Sequence, residues 1–365
     1  VNQPTPKPPY RVPTLAEIAE TPPNGYTAVS TFSGCGGSSL GYRIEGFRVL
    51  WASEFVEAAR ETYRANAPDY TVLDGRDIRE VQPAEVLGAI GLDEGELDLL
   101  DGSPPCASFS MAGKRQKHWG EVKAYSDTKQ RTDDLFPEFA RLVRGIQPRV
   151  FVAENVSGLV RGTAKGYFIR ILSELRDCGY RVRAKLLDAQ WLGVPQARQR
   201  LIFVGVRNDL NLLPAFPEPL PYRYSISEAA PGIIDAPSVD PETQADISIE
   251  RFAIGREWIR LAPGEGSNRY LNLTRARLDR PSPTVTALGG NVGAAAVAHP
   301  SRPRKYNLGE LRAICGFPPD FVLTGTFEQR WERLGRAVPP LMMRRIAAEI
   351  RDRVLDPATE TRRAS

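Results

Sequence analysis

The 365-residue chain has no apolar run near the roughly 18 residues that a membrane-spanning helix requires. No cationic, apolar leader precedes its first structured segment. Membrane and secretory roles therefore lack support, and a cytoplasmic setting is expected. Cysteine is scarce: Cys35, Cys106, Cys178 and Cys315 lie far apart, with no CxxC pair and no adjacent histidine. That spacing argues against a zinc site or a disulfide framework and suits a reducing compartment, so no metal is expected. Charge of one sign is also missing. Lys and Arg total 48 against 44 Asp and Glu, and the net +4 is compatible with nucleic acid without requiring it. There is no internal repeat. What remains is ordinary for an enzyme-sized protein: 42% hydrophobic and 25% charged, enough for one large α/β domain and a smaller one.

Residues 1 to 24 are proline-rich and read as an extended arm with a short helix at "TLAEIAE". From Tyr26 the rhythm changes. "YTAVSTF" reads as a strand, "SGCGGSSLGY" as a glycine turn entering a helix, and "FRVLWASEF" as a second strand. "VEAARETYRANA" is helical, "DLLDGSPPC" is a strand entering a cysteine loop, and "DDLFPEFARLVRGIQ" is helical. "RVFVAENV", "YFIRILSELRDCG", "RVRAKLLDA" and "RQRLIFVGVR" continue as strand, helix, strand and strand. This alternation predicts a doubly wound, largely parallel α/β sheet whose sites gather at the carboxyl ends of the strands. The pattern breaks near Asp209, so residues 209–279 form a separate small region. "YNLGELRAICGF" and "PPLMMRRIAAEIRDRVL" should return to the large domain, and 356–365 should be a flexible tail.

Four stretches carry candidate chemistry. In "FSGCGG" a glycine turn between strand and helix brings backbone close to a ligand, and Glu54, ending the next strand, is placed for a ribose hydroxyl. Asp77 in "GRDI" suits a base edge; a purely structural glycine turn is an equal alternative. Cys106 follows Pro104 and Pro105, which stiffen its backbone; it is either a small buried hydrophobe or a nucleophile. In "FVAENV", Glu154 ends an apolar strand, where poor solvation would keep a proton available; a structural pairing with arginine is the alternative. Gln196, Arg198 and Arg200 alternate in "VPQARQR", a polar comb along one strand face or else a solvated edge.

The order of these signals is more specific than any one of them. "FSGCGG", "SPPCxSFS", "ENV", "QxRxR", a variable region, "RPSPTVTA", "GFPPDF" and "GRAVPP" resemble the motif series of the cytosine carbon-5 DNA methyltransferases of bacterial and phage type. The resemblance covers 27–208 and 280–350. It implies a Rossmann-like methyltransferase domain formed by 25–208 and 280–355, with 209–279 as an inserted target-recognition region. It further implies S-adenosylmethionine as cofactor, double-stranded DNA as partner, and a monomer serving restriction–modification. By resemblance, Cys106 adds to cytosine C6 and makes C5 nucleophilic, Glu154 protonates ring N3, Arg200 contacts the base O2, and Arg198 supports the loop or a phosphate. Phe32, Gly34, Gly36, Gly37, Glu54, Asp77 and Pro105 would line the cofactor. Asn155 would anchor the cysteine loop, and Ser110, Gln196 and Arg280 would lie on the DNA side. The target cytosine would be flipped from the duplex, with 114–134 closing over it.

Two positions depart from the family pattern. Ala107 stands where glutamine is usual, and Arg336 where asparagine is usual, beside the methionine end of the cofactor. Arg336 either pairs with an acid or clasps an anion on a carboxylated cofactor, in which case the product would be 5-carboxymethylcytosine. An RNA cytosine methyltransferase and a catalytically silent DNA-binding protein are the further alternatives. Retention of the cysteine, "ENV" and "QxRxR" opposes silence, and a dehydrogenase would leave the cysteine unexplained.

Overall fold

The computed structural model describes residues 6–105, 123–125, 128–130, 135–160 and 165–364. Cys106, Ala107, Ser110 and most of 114–134 therefore lie outside the described residues.

The first half alternates strands and helices: α1 (Leu15–Ala19), β1 (Thr27–Thr31), α2 (Gly37–Ile44), β2 (Arg48–Ser53), α3 (Glu57–Arg64), β3 (Val72–Asp74), α4 (Pro83–Ile90) and β4 (Leu99–Gly102). A small hairpin, β5 (Lys123–Tyr125) and β6 (Thr128–Gln130), precedes α5 (Leu135–Ile146). Then follow β7 (Val150–Val156), α6 (Lys165–Arg176), β8 (Tyr180–Asp188) and β9 (Gln199–Arg207). Seven of these strands form one sheet in the order β3-β2-β1-β4-β7-β9-β8. The first five are parallel, and β9 runs antiparallel to both β7 and β8. β4 and β7 are buried almost throughout, because helices cover both sheet faces. One face packs Phe139, Leu142 and Val143 of α5 and Ile171 and Leu175 of α6 onto Leu100, Phe151 and Phe203. The other packs Tyr42 of α2 onto Val150, Val152 and Ile202, together with Met342, Met343 and Ile346 of a later helix spanning Pro340–Ile350.

The strands the sequence predicts are present. It did not reveal β3 or α4: Val72–Asp74 is too short for a period-2 signal, and α4 is a two-turn helix whose start is set by Gln82 and Pro83. The second half holds α7 (Ile226–Ala229), α8 (Ala253–Arg260), the bridge pair β10 (Thr274–Arg275) and β11 (Val297–Ala298), α9 (Leu308–Cys315), α10 (Phe327–Arg336), α11 (Pro340–Ile350) and α12 (Asp356–Ala364). Capping boxes at Asn307/Glu310 and Thr326/Gln329 start α9 and α10 where each chain segment turns inward.

Of three expectations about organisation, that of a flexible tail needs correction. α11 returns to the sheet, and α9 and α10 share a core both with Cys35 and Leu40 of the large domain and with Ile226, Ile233, Ile247 and Ala276 of the 209–279 region. Helical periodicity reports that a face is buried, not which partner buries it. The 356–365 tail is the helix α12 through Ala364, tied down where Tyr26 donates to Asp356 at 2.6 Å and Arg149 to Thr359 at 3.0 Å. Finally, the N-terminal arm is docked. Ile18 is buried, the Tyr10 hydroxyl donates to the Ala313 carbonyl at 2.6 Å, and Tyr224 donates to that of Pro8 at 2.9 Å.

Candidate active site

In the sheet order, β1 continues outward to β2 and β3 on one side, while β4 continues to β7 on the other. The boundary between β1 and β4 is thus a topological switch point, where crossovers leave in opposite directions and open a crevice beyond the carboxyl ends. The glycine turn leaves β1 and the Pro104–Pro105 segment leaves β4, so the two candidate loops are neighbours. β1 and β4 pair from Ala28↔Leu99 to Thr31↔Gly102, and the Thr31 hydroxyl donates to the Asp101 carbonyl at 2.9 Å.

The glycine turn is conformationally demanding. Phe32 adopts φ 53°, Gly34 56° and Gly36 95°. A Cβ on Gly34 would meet nothing within 4 Å, so that position faces open space, as a close-approach site for a ligand would. Gly37 differs: its added Cβ would lie 2.2 Å from the Val338 carbonyl oxygen. It permits α2 to pack on the 337–338 segment rather than exposing backbone to a ligand. Gly36 lies against the Tyr63 ring in the same way, at 3.1 Å. Glu54, at the end of β2, accepts from the Gly34 amide at 2.8 Å and from the Val56 amide at 2.7 Å. Burial raises its carboxyl above the usual value, against those two amides and the nearby Arg333. Arg333 of α10, buried and close to this pocket, is a residue that sequence reading missed. Asp77, beyond β3, is partly exposed and pairs with Arg79 at 2.8 Å.

At the end of β7, Glu154 and Asn155 point to different neighbours. Arg200 Nε lies 2.5 Å from Glu154 Oε1, with both side chains largely buried. β7 and β9 pair in antiparallel register, Glu154↔Ile202 and Val156↔Arg200, which sets the two side chains on one face. Asn155 is buried; its Nδ2 donates to the Pro104 carbonyl at 3.1 Å and its Oδ1 accepts from the Val156 amide at 2.8 Å. An asparagine on β7 thus holds the segment two residues before Cys106.

The polar comb needs correction. Only Arg200 of its three members reaches the crevice. Gln196 is buried, accepting from the Val285 amide at 3.2 Å and donating to Cys315 Sγ at 3.3 Å, so its amide is spent inside the protein rather than on DNA. Arg198 is buried too, donating to the Val285 carbonyl at 3.0 Å and the Gly335 carbonyl at 2.9 Å. Burial and then the adjacent Arg200 push its guanidinium below the ordinary value. It fastens the 284–287 segment and the end of α10 behind Glu154 and Arg200. Of the three, only Arg200 lies on β9; Gln196 and Arg198 precede it, and alternation could not show that the second half would cover them. Arg280 is exposed, and its carbonyl accepts from the Ile226 amide. Arg336 Nε donates to Glu332 at 2.6 Å, one turn back on α10.

The chain matches the family model for C-5 cytosine-specific DNA methylases over residues 26–352. It belongs to that family. Type II methyltransferase M1.HphI of Haemophilus parahaemolyticus is 32% identical over 340 residues, covering 89% of this chain and 86% of that protein. Type II methyltransferase M.SacI of Streptomyces achromogenes is 31% identical over 361 residues, covering 85% of this chain and 89% of that protein. Among solved structures, a prophage-encoded protein of E. coli described as a DNA modification methyltransferase matches with TM-score 0.69 at 20% identity, over 91% of this chain and 100% of that chain. A Spodoptera frugiperda DNMT2 variant matches with TM-score 0.63 at 16% identity, over 92% and 100%. These two likenesses concern the fold, the Rossmann-like methyltransferase sheet. The chain is an enzyme of the DNA (cytosine-5-)-methyltransferase class, and no helix among the described residues is long and apolar enough to cross a membrane.

Proposed function

We propose that the chain transfers a methyl group from S-adenosylmethionine to C5 of a cytosine flipped out of double-stranded DNA, through a covalent bond from Cys106 to C6. The observation that carries this reading is the Asn155–Pro104 hydrogen bond beside the Glu154–Arg200 pair, at the mouth shared by β1, β4 and β7. The glycine turn fits the cofactor: Gly34 has a left-handed backbone and open space over it, and Glu54 stands beside it at the end of β2. Phe32, Gly34, Glu54 and Asp77 would hold the cofactor, which supplies an electrophilic methyl on a sulfonium.

The remaining chemistry belongs to the chain. The Cys106 thiolate forms a bond to C6 while Glu154 delivers a proton to ring N3, so the ring gains no net negative charge as sulfur adds. Arg200 holds Glu154 in place and offers its remaining guanidinium N–H to the base O2. After C5 gains its substituent, a water takes the C5 proton, the electron pair restores the double bond, the sulfur departs as thiolate, and N3 returns its proton to Glu154. Arg280 lies on the exposed side and would contact DNA phosphate. The relatives' Type II names suggest a restriction–modification setting. Transfer of methyl rather than carboxymethyl is favoured because the Arg336 side chain is engaged by Glu332.

Nucleoside mass spectrometry of DNA from cells expressing the wild type and Cys106→Ala tests the reading. A 5-methylcytosine peak that requires Cys106 is expected. A heavier acidic cytosine would instead make Arg336 a cofactor-selecting residue, and modified cytosine confined to RNA would overturn the substrate.

A further inference from the structure

Asp101 is a buried carboxylic acid, 1% exposed, in the middle of the sheet at the end of β4. It plays no part in the reaction just described. The Tyr42 hydroxyl of α2 donates to its Oδ1 at 3.0 Å, and the Ser30 hydroxyl of β1 donates to its Oδ2 at 3.2 Å. Ser30 extends the chain of bonds: its Oγ lies 3.1 Å from the Ser33 hydroxyl, which is 2.9 Å from the Ser30 carbonyl. Ser33 stands between Phe32 and Gly34, inside the glycine turn. One side chain therefore joins three things: the strand that runs into the cysteine loop, the helix α2, and the turn that leaves β1.

We propose that Asp101 is a positioning residue that locks the glycine turn to β4, so that affinity for S-adenosylmethionine depends on its carboxylate. This rests on the function proposed above. A carboxylate accepts from all of these hydroxyls at once. A protonated acid becomes a donor itself, so the Ser30 hydroxyl must accept from it or swing away, and the Ser30–Ser33 link to the turn has to reorient with it. The groups around Asp101 are hydroxyls and an acid: Ser30 from β1, Ser38 and Tyr42 from α2, Tyr63 from α3 bonded to Ser39, and Glu154 from β7 with its partner Arg200 on β9. Burial, opposed by the hydroxyl donors and assisted by Glu154, raises the carboxyl to about 7. The lock is thereby placed where ordinary changes of pH would work it.

The experiment is calorimetric titration of the full chain with S-adenosylmethionine and with S-adenosylhomocysteine at pH 6 and pH 8, for wild type, Asp101→Asn and Ser30→Ala. Wild type should bind both compounds more weakly at pH 6, by several-fold. Asp101→Asn should lose about tenfold at pH 8 and show no pH dependence between the two values. Ser30→Ala, which cuts only the link to the turn, should lose affinity in the same direction with its thermal transition retained. Both compounds should shift equally, because both would rest on the same turn. Dissociation constants within twofold of wild type in both variants, or a pH slope that survives Asp101→Asn, would overturn the positioning role. A loss confined to the sulfonium compound would replace positioning by charge attraction. A wild type that binds neither compound would overturn the proposed function itself, and the role with it.

Discussion

Asn155→Asp is the sharpest perturbation of the candidate site, because it changes one donor and almost no volume. In the wild type Nδ2 donates to the Pro104 carbonyl at 3.1 Å, and Oδ1 accepts from Val156 at 2.8 Å. An ionised carboxylate would keep the second bond and set an oxygen against an oxygen in the first. Asn155 is only 3% exposed, so water offers the Pro104 carbonyl little replacement. Leaving a buried acceptor unsatisfied costs about 1–3 kcal/mol, and an added buried charge raises the figure. If the segment relaxes by about 1 Å to escape the clash, a reacting thiol two residues on would lose on the order of 100-fold in rate. The penalty should be reversible by acid, since a protonated carboxyl can donate to Pro104 while its carbonyl oxygen accepts from Val156. Single-turnover methyl transfer to DNA at pH 5.5 and pH 8, each as the ratio of variant to wild type, measures this. The ratio should be lowest at pH 8 and recover at least tenfold at pH 5.5, with the cofactor dissociation constant unchanged. A ratio near one at pH 8, or a deficit that ignores pH, would refute the anchoring argument.

Other consequences follow from packing and charge. Gly37→Ala places a Cβ 2.2 Å from the Val338 carbonyl oxygen, so α2 and the 337–338 segment must part. A loss of about 1–3 kcal/mol in urea unfolding is expected, and an unchanged midpoint would show that the contact yields freely. Asp98→Asn removes the carboxylate that meets Arg149 at 2.9 Å, behind the bonds Arg149 makes to Leu355 and Thr359. Hydrogen exchange should speed first across 356–364, with a stability loss of about 3–5 kcal/mol; protection equal to wild type would mean that α12 is held by its apolar contacts alone. Lys305 is fully buried, and desolvation pushes its ammonium down to about 7. A lowered lysine value means that the native state holds its greatest advantage above the free value near 10.5 and loses it as pH falls toward 7. Lys305→Met should therefore gain in Tm over wild type as pH drops from 10 to 7, despite losing the bond to the Ala294 carbonyl at 2.6 Å. A gap that does not change over that range would argue that the ammonium is well solvated in the native state.

The sequence by itself determined the class of the sheet and the loops that carry chemistry. Alternating β-branched runs and amphipathic segments dictate strands covered on both faces. Glycines at 34, 36 and 37, prolines at 104 and 105 and the Glu154–Asn155 pair then fall at strand ends whatever the details of packing. Local chemistry fixed these features, so they were legible locally. Only the tertiary structure decided how polar side chains divide between crevice and interior. Gln196, Arg198 and Arg200 share one alternation, yet segments about 80 to 140 residues away cover the first two and leave the third facing Glu154. Asp101 in "LLDG" looks like the end of an apolar strand until β1 and α2 bring two hydroxyls to it. The final ten residues resemble a loose tail until Arg149 and Tyr26 reach them. In each case the deciding partner is remote in sequence, and burial of a polar group is set by the partner rather than by the residue.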